Sequence, residues 1–246
     1  MKRLEQKVAL VTGGSRGIGA AIVKRLAQER ADVALTYVSA ADKARAVVAE
    51  IEAAGRRGLA ILADSADPEA VVSAVERTAV EFGRLDILVN NAGLFPFGPL
   101  EDVTLEEVNR TLAIHVQAVF VASQAAARHM GEGGSIVSIG SCLAERVPAP
   151  GVTLYAMSKS ALIGLTKGIA RDLGRRGITA NVVHPGCTDT DMNPADGPGA
   201  DEKRRHIALG HYGSPKDIAA MVAHLAGEGG RYVTGASIAV DGGYAA

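Results

Sequence analysis

From Lys7 onward, short apolar runs that stop at glycine, asparagine or proline alternate with stretches whose apolar residues recur at helical spacing. No other feature restricts the fold so strongly. A strand that is apolar on both faces must be covered by helices on both sides. Strict alternation of strand and helix therefore implies right-handed βαβ units around a parallel sheet. The segments "KVALVT", "DVALTY", "GLAILAD", "LDILVNNAG", "GSIVSIGS", "GITANVVHPG" and "ASIAVDGG" read as strands. Between the first two, Ile18, Ile22, Val23 and Leu26 mark one face of a helix. A second helix over 41–54 ends at Gly55, and a third opens with Pro68 in its first turn and Asp67 as its cap. A long helix follows Thr104, which forms a capping box with Glu107, and another covers 153–173. Residues 193–212 are irregular, and "PKDIAAMVAHLAG" is the last helix. The expectation is an α/β fold: one doubly wound, Rossmann-type domain over 1–246 with a parallel sheet of about seven strands. Ligands of such sheets bind at the carboxyl ends of the strands, where the winding reverses.

Composition narrows the function classes. The 246 residues are 48% hydrophobic and carry a net charge of −1, with no basic run longer than a doublet. That speaks against a nucleic-acid surface and an anionic membrane surface. The opening "MKRLEQ" leads into "KVALVTGG", an apolar stretch too short for a signal peptide, and no run is long enough to span a bilayer. Cys142 and Cys187 form neither a disulfide framework nor a metal-ligand pattern. A reduced, cytoplasmic protein without a metal is expected.

"TGGSRGIG" follows the first strand and opens the first helix. Gly13, Gly17 and Gly19 are spaced Gly-x-x-x-Gly-x-Gly, so the chain can turn tightly and offer free helix amides to a phosphate. Ser15, Arg16 and Ile18 share that turn. The tip of the second strand reports the ribose chemistry, because an acid there would repel a 2′-phosphate. Here it reads "LTYVS", with Tyr37 and Ser39 and no acid. With Arg16 in reach, NADPH is expected over NADH.

"YAMSK" places Tyr155 and Lys159 four residues apart, on the same face if the segment is helical. A phenol of pKa about 10 is too weak an acid for work near neutral pH, and a nearby ammonium would lower it. The expectation is a Tyr155 acidified by Lys159.

With "TGGSRGIG", "NNAG" ending at Gly93, "SIGS" ending at Ser141, "YAMSK" and "NVVHPG" ending at Gly186, the chain resembles the short-chain dehydrogenase/reductase family over nearly its whole length. Within it, the chain is similar to the carbonyl-reductase branch that includes the 3-oxoacyl-carrier-protein reductases. The segments "DSADPEAV", "YAMSKSAL" and "DTDMNPADGP" look like those of cyclic-di-GMP-binding biofilm dispersal proteins of the same fold. The resemblance implies that Tyr155 protonates the carbonyl oxygen, that Lys159 also holds the nicotinamide ribose, and that Ser141 bonds the substrate oxygen. It implies that Asp64 and Ser65 face the adenine and that Asn91, Ala92 and Gly93 pack on its ribose. Pro185 and Gly186, with Thr188 and Thr190 beyond them, would grip the carboxamide. It also implies a homotetramer.

One position departs from the family. "IHVQAVF" places His115 where the family has an Asn that supports a water linking the lysine to solvent. His115 could continue a proton relay and add a titration near pH 6.5, block the water, or simply pack. Leu94, Phe95, Cys142, Leu143, Cys187 and Met192 should line an apolar substrate pocket beside Ser141, suited to a small hydrophobic ketone or aldehyde. Residues 193–212 should form a lid over it. The competing expectation is a nucleotide-sensing module, for cyclic-di-GMP or NADPH, on the same fold. The intact Ser141, Tyr155 and Lys159 favour the enzyme.

Overall fold

The computed structural model describes residues 4–246; the basic opening of the chain, residues 1–3, lies outside them. Seven strands form one parallel sheet in the order β3-β2-β1-β4-β5-β6-β7. In chain order they are β1 (Val8–Val11), β2 (Asp32–Tyr37), β3 (Gly58–Leu62), β4 (Ile87–Asn90), β5 (Ser135–Ile139), β6 (Thr179–Pro185) and β7 (Ser237–Val240). The helices are α1 (Gly17–Gln28), α2 (Ala41–Ala53), α3 (Pro68–Phe82), α4 (Leu105–Leu112), α5 (Ala118–His129), α6 (Thr153–Leu173), α7 (Ala200–Arg205) and α8 (Pro215–Ala226). The fold is thus the single doubly wound α/β domain that the alternation implied.

Two cores flank the sheet. Ala9 and Val11 of β1 point into one, with Ile22, Val23 and Leu26 of α1, Val47 and Ile51 of α2, and Ile218 and Val222 of α8. Val8 and Leu10 point into the other, with Val71 and Val75 of α3, Ala122 and Ala126 of α5, and Ala170 of α6. The period of two along β1 sorts its side chains between the layers, which is why a continuous apolar run was required. The caps act as their residue types dictate. Asp67 accepts from the amides of Glu69 and Ala70, and Thr104 and Glu107 close a capping box.

The winding reverses between β1 and β4, and side chains pin that point. Thr12 Oγ1 accepts from the amides of Asn91 (2.9 Å) and Ala92 (3.1 Å). Asn91 Nδ2 donates to the carbonyls of Thr12 (2.9 Å) and Gly13 (3.1 Å). The mouth of a cleft between the two strand ends is therefore braced by the residues that the motifs singled out.

The long helix expected after Thr104 is not one regular helix. A π turn, Ala113–Gln117, separates α4 from α5, and His115 lies in it. One extra residue per turn re-aims the local side chains, a distortion frequent at functional sites. No helix among the described residues is long and apolar enough to cross a membrane.

Candidate active site

A cleft of about 690 Å³ runs along the carboxyl ends of the strands. At one end lies the glycine turn. Gly13 and Gly17 adopt φ of 63° and 53°, a region that costs a residue with a Cβ energy. A Cβ on Gly19 would overlap the Gly13 carbonyl and Asn91, so the turn closes on itself only with glycine there. Helix α1 begins at Gly17, and Arg16 before it gives no side-chain cap, which leaves the first amides of the helix without a side-chain partner at the cleft. Ser15, Arg16, Gly17 and Ile18 line this end with Tyr37 and Ser39 from the tip of β2. Asp64 and Ser65 line it from the end of β3, and Asn91, Ala92 and Gly93 from the end of β4. Pro185, Gly186, Thr188 and Thr190 form the wall beyond β6; Thr190 Cγ2 would lie 3.6 Å from a Cβ on Gly17, so this loop crosses the glycine turn.

The other end holds Ser141, Tyr155 and Lys159. Helix α6 carries Tyr155 and Lys159 on its face toward the sheet, one turn apart. Ser141, at the end of β5, is 6% exposed, and its Oγ accepts from the Leu143 amide at 3.2 Å. That bond uses a lone pair and not the hydroxyl proton, which faces the neighbouring Tyr155 phenol. Lys159 is 5% exposed; its Nζ donates to the Ile139 carbonyl at 3.0 Å and lies 5.8 Å from the centre of the Tyr155 ring. The Phe95 ring meets Tyr155 edge-on at 4.8 Å.

The electrostatics run opposite to the expectation of an acidified tyrosine. Burial pushes the Tyr155 phenol up to about 12, with the nearby Ser141 hydroxyl pulling the other way. Burial also pushes the Lys159 ammonium down to about 8. Desolvation disfavours whichever form is charged, and it is the largest cause at both groups. The lysine aims a proton at a backbone carbonyl and not at the phenol oxygen, so it gives the phenolate no direct hydrogen bond.

His115 is 1% exposed and does not line the cleft. Its Nε2 accepts from the Leu94 amide at 3.0 Å, and its Nδ1 lies 2.8 Å from Ser158 Oγ. Ser158 spends its own proton on the Tyr155 carbonyl, at 2.8 Å, so Nδ1 is the protonated nitrogen. The ring thereby ties the turn after β4 to the helix of Tyr155. Burial, aided by the Lys159 ammonium, lowers its pKa to about 3. A second proton on Nε2 would expel the Leu94 amide. Of the three roles open to His115, this geometry matches the packed one: a neutral brace with both nitrogens occupied and a pKa pushed well below 6.5.

Leu94, Phe95, Cys142, Leu143, Cys187 and Met192 line the cleft, with Cys142 buried and Phe95 and Met192 exposed at its surface. Several lining residues carried no sequence signal. Lys43, on the first turn of α2, reaches across the mouth of the cleft to Asp191 at 3.1 Å. Ile114 and Arg110 line the cleft from the long-helix region. Tyr244, near the end of the chain, packs with Cys142 and Ile207 and forms part of the wall. His184 lies behind Ser141. A titratable residue closing the apolar pair Val182-Val183 in "NVVHPG" was its one available signal.

Comparison with known proteins agrees with this geometry. A family model described as enoyl-(acyl carrier protein) reductase matches residues 13–245. The cyclic-di-GMP-binding biofilm dispersal mediator protein of Escherichia coli K12 is 45% identical over 240 residues, 98% of each chain. A short chain dehydrogenase from Burkholderia cenocepacia J2315, solved in complex with NADP, is 63% identical with a TM-score of 0.98, covering 99% of this chain and 100% of that one. A blue fluorescent protein from a metagenomic library, solved in complex with NADPH, shows the same identity, coverage and TM-score. The glycine turn, the strand ends braced by Asn91 and the serine, tyrosine and lysine of the buried end thus occur in a chain that matches such proteins from end to end: it belongs to the short-chain dehydrogenase/reductase family.

Proposed function

We propose that the protein reduces a ketone or aldehyde to an alcohol at the expense of NADPH. The observation that carries this reading is the convergence of Ser141, Tyr155 and Lys159 on the buried end of the cleft, with uncapped helix amides and an acid-free strand tip at the other. The cleft fits the cofactor on its own chemistry. A diphosphate suits the glycine turn and the amides of α1, and a 2′-phosphate suits Arg16, Ser39 and Lys43. The two solved relatives carry NADP and NADPH. When bound, the nicotinamide supplies the hydride.

The residues do the rest. The Ser141 hydroxyl, its lone pair already held by the Leu143 amide, has its proton to give to the substrate oxygen. A phenol that keeps its proton up to about 12 is fully loaded at neutral pH. Tyr155 is then the acid that protonates the oxygen as negative charge develops there. Lys159, charged below about 8, stabilises the phenolate left behind. His115 is a positioning residue that holds Leu94 and the Tyr155 turn in register. The apolar lining from Leu94 to Met192 favours a hydrophobic substrate body.

Residues 193–212 act as the lid in this reading. Asn193 pairs with Thr190 and with Lys203 of α7 (2.7 Å), while Ile207 and Tyr212 pack over Cys142 and Tyr244. The outward Phe120 of α5 and Met157 of α6, both about half exposed, and the free edge of β7 support a homotetramer. Size-exclusion chromatography with light scattering tests that assignment.

A nucleotide-sensing role in the same cleft is the competing reading, and the name of the E. coli relative supports it. One assay separates the two. NADPH oxidation is followed against hydrophobic ketones, aldehydes and diketones, with Tyr155→Phe beside the parent. Turnover that disappears in the variant supports the reductase. Tight NADPH or cyclic-di-GMP binding with no turnover on any carbonyl supports the sensor.

A further inference from the structure

Outside the residues that line the cleft, a buried imidazole closes on the backbone of Ser141. His184 of β6 is 0% exposed and does not line the cleft. Its Nδ1 lies 3.1 Å from the amide nitrogen of Ser141 and 2.8 Å from its carbonyl oxygen. The preceding Gly140 has no room for a side chain, because a Cβ would overlap the ring. On the far side, Nε2 meets Ser237 Oγ at 2.9 Å, and Ser237 Oγ donates to Glu145 Oε1 at 3.0 Å. Ser237 and Glu145 are exposed. A chain of hydrogen bonds thus runs from solvent to the backbone of Ser141.

Counting protons shows that this chain has two states. Burial pushes the His184 pKa below its ordinary value, with Lys159 acting in the same sense and the Ser141 backbone, Glu145 and Asp241 against it. The ring is neutral near pH 7 and carries one proton. A carboxylate accepts only, and a serine has a single hydroxyl proton. If Ser237 gives that proton to Glu145, its Oγ must receive one from Nε2–H. Nδ1 is then a bare acceptor, suited to the Ser141 amide. If Ser237 gives its proton to Nε2 instead, Glu145 loses its bond and Nδ1–H turns to the Ser141 carbonyl. The two tautomers pull on different backbone atoms of Ser141, its amide in one case and its carbonyl in the other, on either side of the Cα that carries the hydroxyl.

We propose that His184 is a positioning residue for Ser141, and that Glu145, acting through Ser237, selects the tautomer that holds Ser141 in place. This rests on the reading of Ser141 as the donor to the substrate oxygen. A misplacement near 1 Å at a reacting group can lower a rate on the order of 100-fold, so a peptide tilt matters.

The test combines nitrogen-15 NMR of histidine-labelled protein with steady-state kinetics. Glu145→Ala and Ser237→Ala alter exposed side chains and should fold as the parent does. In the parent, the His184 signals should show the proton on Nε2. In both variants the population should move toward Nδ1–H, and kcat should fall about 3- to 10-fold with the NADPH KM unchanged. His184→Ala should lose more, on the order of 100-fold in kcat. His184→Asn, whose amide reaches the Nδ1 position, should recover most of it. An unchanged tautomer in Glu145→Ala and Ser237→Ala overturns the relay. A His184→Ala that loses NADPH affinity and melting temperature along with kcat, without rescue by Asn, shows a merely structural histidine and overturns the positioning role. If the parent reduces no carbonyl, the reductase reading fails, while the NMR readout still decides for or against the tautomer selection.

Discussion

The two ends of the cleft hold their polar groups in opposite ways. At the buried end, Ser141, Lys159, His115 and His184 are buried and held by hydrogen bonds, and burial sets the proton affinities of Tyr155, Lys159 and the two imidazoles. At the open end, Arg16 is exposed, and the Lys43–Asp191 pair keeps side-chain exposures of 57% and 63%. Solvent screens such a pair, so it contributes about 0–1 kcal/mol. The contrast implies a division of labour: changes at the buried end should act on the chemical step and on stability, and changes at the rim on cofactor preference alone.

Tyr155→Phe probes the contrast most strongly. Carbonyl reduction should fall about 10²- to 10⁴-fold, while NADPH affinity, measured by fluorescence titration, should hold. A parallel loss of binding would show that the two ends are not separable. The next largest effect is on pH dependence. Reduction consumes a proton from a phenol that is loaded at all working pH values, and it needs the Lys159 ammonium. The rate should be level through pH 6.5 and fall as pH rises through about 8, where Lys159 loses its charge. Lys159→Arg should remove that fall from whatever activity it retains, because a guanidinium stays charged. His115→Asn should leave the profile near pH 6.5 unchanged, since the parent imidazole is already neutral there. An inflection that disappears in His115→Asn would show that the imidazole titrates after all.

His115→Leu tests the brace itself. It leaves the Leu94 amide without its acceptor and the Ser158 hydroxyl without its donor, at a cost of about 2–4 kcal/mol for two unmade bonds. Urea unfolding measures that loss, and a value near zero would remove His115 from the framework of the buried end. The smallest effect belongs to the rim. Lys43→Ala should raise the NADPH KM about fivefold, corresponding to about 1 kcal/mol, and leave the NADH KM alone. Equal effects on both cofactors would place Lys43 away from the 2′-phosphate.

The alternation of apolar runs and helices contained the architecture, because burial on two faces leaves a strand few options. The same holds for the glycine turn, where a positive φ at Gly13 and Gly17 is a property of the residue type. Local spacing also brought Tyr155 and Lys159 to one helix face. The residues expected around the cofactor all line one cleft. Their roles in binding and catalysis await the experiments above.

Three features were settled only by the folded chain. The π turn at His115 has no local signature; "TLAIHVQAVF" reads as ordinary helix, and the shift is set by what the ring meets at Leu94 and Ser158. Lys43 and Asp191 are 148 positions apart, and only the crossing of the loop after β6 over the glycine turn brings them together. The proton affinity of Tyr155 reversed direction between sequence and structure. Spacing reports that a charge is near, but water decides how much a charge is worth, and only tertiary packing removes the water. The chain thus determined by itself where its strands end and which residue types stand there; the packing around those ends decided which of them are free to move a proton.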